Sequence, residues 1–178
     1  MTTSEQYSHI ARLCRTVFEK KLVDYGAAWR ILRPSSLTDQ LYIKARRIRQ
    51  IEITSVQQIP DDIRSEYIGI VNYALIALIQ CRYLPVDQPE LTTETALQHY
   101  DDFLSQAQEL MERKNHDYGE AWRMMRMSSY TDLILTKLLR VKQIEDNAGQ
   151  TLVSEGVEAN YFDMINYSIF ALIKIEKL

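Results

Sequence analysis

The apolar residues of this chain recur every three or four positions, the spacing of helices that bury one face. Two segments show this spacing at matching positions: Tyr67, Val71, Ala74 and Leu78, and Tyr161, Ile165, Ser168 and Leu172. No window shows the sustained alternation of polar and apolar residues that a half-buried strand requires. The pattern therefore predicts an all-α protein.

The same pattern occurs twice in the chain. A shift of 93 residues places Asp24-Tyr25-Gly26 on Asp117-Tyr118-Gly119 and Trp29-Arg30 on Trp122-Arg123. Roughly half of the central segment is identical between the copies, far above chance, which marks an internal repeat. We predict helical repeats over 1–83 and 94–178, with a linker over 84–93 that contains two prolines. Because one repeat has a short core, the two should pack as a pseudo-twofold helical bundle, one compact domain overall.

Both repeats are predicted to hold the same helices. The first helix covers about 4–24 and 94–117 and ends at Gly26 or Gly119, since glycine tolerates the left-handed turn that closes a helix. A short helix with Ala-Trp-Arg follows. The last helix is expected over about 60–82, with Pro60 in its first turn, and from about 154 to the C-terminus.

The second helix of each repeat is predicted from a capping signal. The runs Ser36-Leu-Thr-Asp39 and Ser129-Tyr-Thr-Asp132 have the spacing of a capping box, with Asp in place of Glu. We therefore expect these helices to begin at the serines, to end near 53 and 146, and to use Asp39 and Asp132 as cap residues rather than as ligands.

Composition limits the classes of function. The chain is 46% hydrophobic and 25% charged, with a net charge of −3, so general affinity for nucleic acid is not indicated. Cys14 and Cys81 lie in apolar patterns without the spacing of a disulfide framework or zinc site, which favours a cytoplasmic setting. No stretch approaches the ~18 apolar residues of a membrane span, so no membrane partner is expected.

The repeated decapeptide frame carries the candidate ligand chemistry. It reads KLVDYGAAWR at 21–30 and KNHDYGEAWR at 114–123. A helix end explains its Gly and Tyr, and Trp can equally be a core residue. The functional interpretation places Lys, Asp and Arg around a pocket with Trp as a wall for a planar base, a contact worth ~1–3 kcal/mol. The candidates are Lys21, Asp24, Trp29 and Arg30, and Lys114, Asp117, Tyr118, Trp122, Arg123 and Arg126.

Further cations lie on the second helix of each repeat. Lys44 and Arg47, like Lys137 and Arg140, are three residues apart and share a helix face. One interpretation is a solvated face paired with Glu52 or Glu145. The other, which we favour, is an anion site for phosphate, because guanidinium groups match phosphate oxygens.

Carboxylates of the last helix suggest a metal. Glu155 and Glu158 are three residues apart, as are Asp163 and Asn166, a spacing that can direct oxygens to one Mg²⁺. The helix dipole explains Glu155, and Asp61 and Asp62 in the first repeat, but not Asp163 in mid-helix. We take Glu158 and Asp163 as candidate metal ligands and catalytic groups. Asn166 is either a satisfied buried amide or a group that orients a ligand.

These residues carry a resemblance. In Lys114-Asn-His-Asp-Tyr-Gly, Lys137-x-x-Arg140 and Asp163-x-x-Asn166-Tyr167, the chain resembles the nucleotide modification associated domain 1 family, a former domain of unknown function, as two copies. The resemblance implies a link to nucleotide metabolism. More distantly, the last helix is similar to the all-α nucleoside triphosphate pyrophosphatases of the MazG-like type, which hold Mg²⁺ on acidic motifs. Here Lys-x-x-Arg stands where their second acidic motif is expected.

Two functions follow as hypotheses. The first is a nucleotide-binding protein, with a small-molecule nucleotide as partner and a Mg²⁺-dependent pyrophosphohydrolase reaction as its enzymatic form. In it the first repeat, with Gly69 where the second has Asp163, is structural or only binds. The alternative is a non-catalytic helical scaffold or protein-interaction module. Residual apolar helix surface also favours a homodimer.

Overall fold

Helices account for all the regular structure that is described. The computed structural model describes residues 1–59 and 62–178, and within them there is no strand. The six α-helices are α1 (Thr3–Tyr25), α2 (Pro34–Thr54), α3 (Ile63–Tyr83), α4 (Thr93–Tyr118), α5 (Met127–Asp146) and α6 (Val157–Ile175). Short 3₁₀ helices, Ala28–Ile31 and Ala121–Met124, follow α1 and α4. The predicted all-α class is confirmed, and the predicted Pro60 in the first turn lies outside the described residues.

The ends of the first helices follow local chemistry. Thr2 accepts a hydrogen bond from the Glu5 amide while Glu5 accepts one from the Thr2 amide, a complete capping box at α1. Thr92 caps α4 by accepting a hydrogen bond from the Thr95 amide. Gly26 and Gly119 close α1 and α4 with φ of 60° and 56°, conformations that cost glycine little. The predicted helix-ending role of both glycines is therefore confirmed.

The predicted capping boxes of α2 and α5 are wrong. These helices begin earlier, at Pro34 and Met127, and their N-cap residues Arg33 and Arg126 make no side-chain cap bond. Proline suits the first turn of α2 because its ring presets a helical φ and it needs no amide partner there.

Asp39 and Asp132 consequently lie inside their helices and serve another purpose. Asp39 pairs with Lys142 at 3.2 Å, and Asp132 pairs with Arg49 at 3.8 Å. In both cases the aspartate and its partner belong to opposite repeats. The repetition of this residue is therefore explained by contact between the repeats rather than by capping.

The two repeats pack as a pseudo-twofold pair. Equivalent helices contact each other: α3 packs on α6, α2 on α5, and α1 on α4, as a twofold relation requires. Helices α2, α3, α5 and α6 share the most extensive contacts, and α1 and α4 pack beside α3 and α6. One continuous apolar core runs through both repeats.

A mirrored pair of polar clusters joins α2 to α5. The Thr38 hydroxyl donates to Glu145 at 2.8 Å, and the Thr131 hydroxyl donates to Glu52 at 2.8 Å. Thr131 also lies 2.9 Å from the Tyr67 hydroxyl, an arrangement matched in the other half by Thr38 and Tyr161. Glu52 and Glu145 therefore bond threonines of the opposite repeat, not the cations of α2 and α5 as one interpretation held.

None of the helices in the described part of the chain combines the length and apolarity that a membrane crossing requires.

Candidate functional site

Each repeat has a cavity of about 420 Å³ beside its 3₁₀ helix. Equivalent residues line the two: Lys21, Tyr25, Trp29, Asn72 and Tyr73 in the first-repeat cavity, and Lys114, Tyr118, Trp122, Asn166 and Tyr167 in the second-repeat cavity. The lysine and tyrosine come from the end of the first helix of the repeat, the tryptophan from the 3₁₀ helix, and the rest from the last helix. The repeated frame thus forms a cavity wall in both halves.

Asp163 organises the charges of the second-repeat cavity. Its Oδ1 lies 2.6 Å from Nζ of Lys114, and its Oδ2 lies 2.6 Å from Nζ of Lys137. The carboxylate is buried, and the Lys137 side chain is 16% exposed. An ammonium has three donors, so each lysine keeps donors for another anion. The three residues form a charged triad with a net charge of +1.

Burial and charge oppose each other at this triad. Burial lowers the pKa of Lys114, but its hydrogen bond to Asp163 and the negative charge there outweigh this, so the net shift is upward. Burial also raises the pKa of Tyr167, with a smaller contribution from Asp163. Lys114 is thus held charged and Tyr167 neutral at physiological pH, a combination suited to a ligand with an anionic group and a ring.

Trp122 does not offer its face to a ligand. Phe170 stacks on it at 4.4 Å between ring centroids and an interplanar angle of 6°, and the Arg123 guanidinium lies 4.4 Å from the same ring centroid. Trp122 is only 6% exposed, so these neighbours leave little of its ring surface open. Face-on stacking of a base on Trp122 therefore stays a prediction that this packing disfavours, and the exposed Tyr118 and half-buried Tyr167 are the more open rings of the cavity.

The indole N–H groups are unsatisfied in both cavities. Nε1 of Trp29 and Nε1 of Trp122 are buried and have no hydrogen-bond partner among the described residues. A buried donor without an acceptor is destabilising by about 1–3 kcal/mol. The same defect at equivalent positions of two cavity walls is an observation that favours an external acceptor.

The first-repeat cavity has a different charge arrangement. The acid that pairs with the cations of α2 lies one helical turn before residue 69, the equivalent of Asp163. It is Glu66, which pairs with Lys44 at 3.4 Å and Arg47 at 2.5 Å. The equivalents of Glu66 and Gly69 in the second repeat are Asn160 and Asp163. The cations of α2 are therefore neutralised from one turn earlier, and Lys21 has no carboxylate partner within the described ranges.

The charged triad lies where three depressions of the second repeat meet. Lys114 and Asp163 also line a depression of about 620 Å³ that reaches Glu155 and Glu158. Lys137 and Arg140 line another of about 540 Å³, under the loop from 147 to 156. The candidates Lys137, Arg140, Glu158 and Asp163 thus border adjoining depressions that share lining residues, together called the trough.

Asn72 and Asn166 are satisfied by the protein itself. Asn166 accepts from the Tyr7 hydroxyl at 2.8 Å and donates to the Ala107 carbonyl at 3.1 Å. Asn72 accepts from the Tyr100 hydroxyl at 2.8 Å and donates to the Cys14 carbonyl. Tyr7 and Tyr100 each belong to the repeat opposite their asparagine, which supports the buried-amide interpretation.

Several candidates lie away from the cavities. Arg30 is 1% exposed and donates to Glu90 of the linker at 2.9 Å. Arg123 donates to Glu120 and Thr3. The exposed Asp117 contacts His116. Asp24, Asp117, Arg30, Arg123 and Arg126 are not among the residues that line the two cavities.

The described residues do not form a ready metal site. Among them, no group of three His, Cys, Asp or Glu side chains could hold an ion. Both oxygens of Asp163 already face lysine ammonium groups. The predicted pair Glu158 and Asp163 therefore does not fit a Mg²⁺ site held by protein carboxylates alone.

Comparison with known families matches the chain twice to one family model, described as nucleotide modification associated domain 1, over residues 21–81 and 114–175. The chain belongs to this family. The two matches confirm two tandem copies of nucleotide modification associated domain 1. No curated protein and no solved structure matches the chain. The likeness to MazG-like pyrophosphatases is not shown by these comparisons.

Each copy of nucleotide modification associated domain 1 begins at the lysine of its cavity, Lys21 or Lys114, and extends through the last helix. Both cavities are therefore features of the family segment. The tyrosines that bond Asn72 and Asn166 lie before these segments and were not singled out. The repeat shift could have identified them, since Tyr7 and Tyr100 are also 93 residues apart.

Proposed function

We propose that this protein binds a phosphorylated nucleotide in the second-repeat cavity and its trough. Lys114 and Lys137, held by one carboxylate in an aromatic-walled cavity, are the observation that carries the proposal. Their free N–H donors, with Arg140 further along the trough, would bind phosphate oxygens. Tyr118 and Tyr167 would contact the base, and the Trp122 N–H would donate to one of its acceptors.

Hydrolysis of the bound nucleotide is the second candidate. It is favoured by Glu155, Glu158 and Asp163, which line the same depression as Lys114. Because Asp163 is engaged by two lysines, Mg²⁺ would enter bound to the phosphates of the nucleotide. This is common for Mg²⁺, which usually takes only one or two protein carboxylates beside substrate phosphates. A pyrophosphohydrolase then releases pyrophosphate from a nucleoside triphosphate.

A scaffold role is the competing function. Its support is the number of repeated polar residues that join the repeats, among them Thr38 with Glu145 and Asp39 with Lys142. These bonds explain their own repetition without a ligand. They do not explain the charged triad or the unsatisfied indole groups.

A thermal-shift panel of deoxynucleoside triphosphates and monophosphates, with and without Mg²⁺, tests the proposal. A ligand at 100 times its dissociation constant stabilises the fold by about 2.7 kcal/mol, a shift of several degrees. Pyrophosphate release and light scattering in the same samples check hydrolysis and the predicted homodimer. Absence of any shift across the panel would favour the scaffold.

A further inference from the structure

The first-repeat cavity leaves a lysine without a counter-charge. Lys114 is held by Asp163 in the second repeat, but the residue equivalent to Asp163 is Gly69. Lys21, the equivalent of Lys114, is exposed and has no carboxylate partner in the described part of the chain. An uncompensated ammonium at a cavity wall is a binding group for an external anion.

The same cavity leaves an indole ring more accessible. Trp29 is half-buried, and its ring neighbour Phe18 is tilted by 40° with centroids 6.2 Å apart. No guanidinium lies over Trp29 among the described contacts, because Arg30 is drawn toward Glu90. The counterpart Trp122 is buried, with Phe170 stacked on it and the Arg123 guanidinium beside its ring. The unpartnered N–H of Trp29 adds a donor beside this ring.

We propose that the first-repeat cavity is a second binding site, which takes a nucleoside monophosphate. Its base packs on Trp29, and its phosphate lies beside Lys21. This position corresponds to the one that the Asp163 carboxylate occupies beside Lys114 in the second repeat. The proposed function supplies the nucleotide class, but the cavity and its residues are different. One phosphate fits because Lys21 is the unpaired cation, while Lys44 and Arg47 face Glu66. The volume of about 420 Å³ lies in the range of small-molecule sites.

The absence of a side chain at Gly69 leaves the proposed phosphate position beside Lys21 without a carboxylate. A Cβ at residue 69 would lie 2.8 Å from Cε of Lys44 and 3.1 Å from its Nζ. A methyl group there only displaces the end of a flexible side chain. A carboxylate would in addition supply Lys21 with the counter-charge that Lys114 has. G69A and G69D therefore separate the steric effect from the charge effect.

The chain provides its own probe, since it has two tryptophans and each lines one cavity. In W122F, the fluorescence of Trp29 reports the first-repeat cavity alone. We expect a saturable change on titration with dAMP, dCMP, dGMP or dTMP. Inorganic phosphate or the parent deoxynucleosides alone should bind at least about tenfold more weakly, because each offers half of the contacts.

Variants in the W122F background test the residues. G69D and K21M should each weaken monophosphate binding about tenfold or more, the effect of losing one charge-assisted contact. G69A should stay within about threefold of the parent. If Trp29 shows no saturable response, or if G69D binds as tightly as G69A, the inference is overturned.

Two further measurements keep the result clear. W29F leaves Trp122 as the reporter of the second-repeat cavity, so a response in W29F without one in W122F refutes this inference and leaves the proposed function intact. The reverse result, obtained with deoxynucleoside triphosphates as well as monophosphates, refutes the proposed function alone. Because W122F removes a buried ring, calorimetry on the unmodified protein serves as a second measurement. With a deoxynucleoside monophosphate it should give two sites, one of which weakens about tenfold or more in K21M, and unchanged affinity at both sites in K21M contradicts the inference.

Discussion

The hydroxyl of Tyr7, on the first helix of repeat 1, donates a 2.8 Å hydrogen bond to the side-chain oxygen of Asn166 in repeat 2. Both side chains are buried, and burial holds the pKa of Tyr7 well above its ordinary value, so the hydroxyl stays a donor. Tyr100 and Asn72 repeat the bond in the other direction. Each cavity-lining asparagine is thus fixed by the opposite repeat.

Y7F tests this cross-repeat bond. The substitution leaves the Asn166 oxygen buried without its donor, which should lower the free energy of unfolding by about 1–3 kcal/mol in urea unfolding followed by circular dichroism. Y100F should have a similar effect at Asn72. Y25F, at an exposed tyrosine, is the control and should change stability little. A value for Y7F equal to that of Y25F would show that the bond does not stabilise the fold.

D163N tests the charged triad. Removing the carboxylate charge leaves the largely buried Lys137 without a counter-charge. This should lower the free energy of unfolding by about 1–3 kcal/mol, less than the loss when a fully buried ion pair is broken. The site gains one positive charge, so deoxynucleoside triphosphates should bind more tightly and with steeper salt dependence in calorimetry.

The matched control for D163N is D117N, at an aspartate that is 77% exposed and does not line the cavity. It should change neither stability nor affinity appreciably. Weaker nucleotide binding by D163N would contradict the counter-ion role and would favour direct contact of Asp163 with the ligand or its Mg²⁺.

Local sequence signals predicted most of the fold. Apolar spacing and the two glycines placed the helices within a few residues, because periodicity and left-handed helix ends are properties of short segments. The failure at α2 has the same origin: the serine and aspartate spacing matched a capping box, but Pro34 allowed an earlier start. Asp39 was then available for Lys142, a partner that no local pattern reveals.

The site was predicted in its composition but not in its geometry. Repetition singled out Lys114, Trp122 and Lys137, and the mid-helix position of an acid singled out Asp163. All four line one cavity. That Asp163 holds both lysines depends on the packing of three helices, and that Arg123 covers Trp122 depends on the 3₁₀ turn. Arg30 has Ala27 where Arg123 has its partner Glu120, and it is instead drawn to a linker glutamate 60 residues away.

Glu52 and Glu145 should make stability depend on pH. Burial raises the pKa of each above the ordinary value of 4.5, and the threonine hydrogen bonds oppose this shift only in part. The folded state therefore holds these protons more firmly than the unfolded state. The resulting stability is present below the unfolded pKa and is lost as pH rises through the folded pKa.

E52Q and E145Q remove this dependence while keeping an oxygen acceptor for Thr131 and Thr38. Each should raise the melting temperature at pH 7, and the gain should shrink as pH falls below the ordinary glutamate value. E109Q, at an exposed glutamate of α4, is the control. A gain that is the same at both ends of the pH range would mean that charge burial is not its source.

Arg30 and Arg123 occupy equivalent positions, and their substitution should have unequal effects. Arg30 is 1% exposed and donates to Glu90, Gln80 and the Tyr83 carbonyl, whereas the Arg123 side chain is 35% exposed. R30M should cost about 1–3 kcal/mol, because it leaves the buried Gln80 oxygen without its donor, and R123M at most about 1 kcal/mol.

The unequal effect should also be visible in the linker. The Val86 amide donates to the Arg30 carbonyl at 3.0 Å, and Glu90 binds the guanidinium, so Arg30 holds residues 84–92 against the first repeat. E90Q, which leaves Arg30 in place, should speed hydrogen exchange at Val86 while lowering stability less than R30M. R30K should not rescue R30M, since an ammonium cannot reproduce the planar set of donors. Equal destabilisation by R30M and R123M in urea unfolding would show that the linker contact does not stabilise the fold.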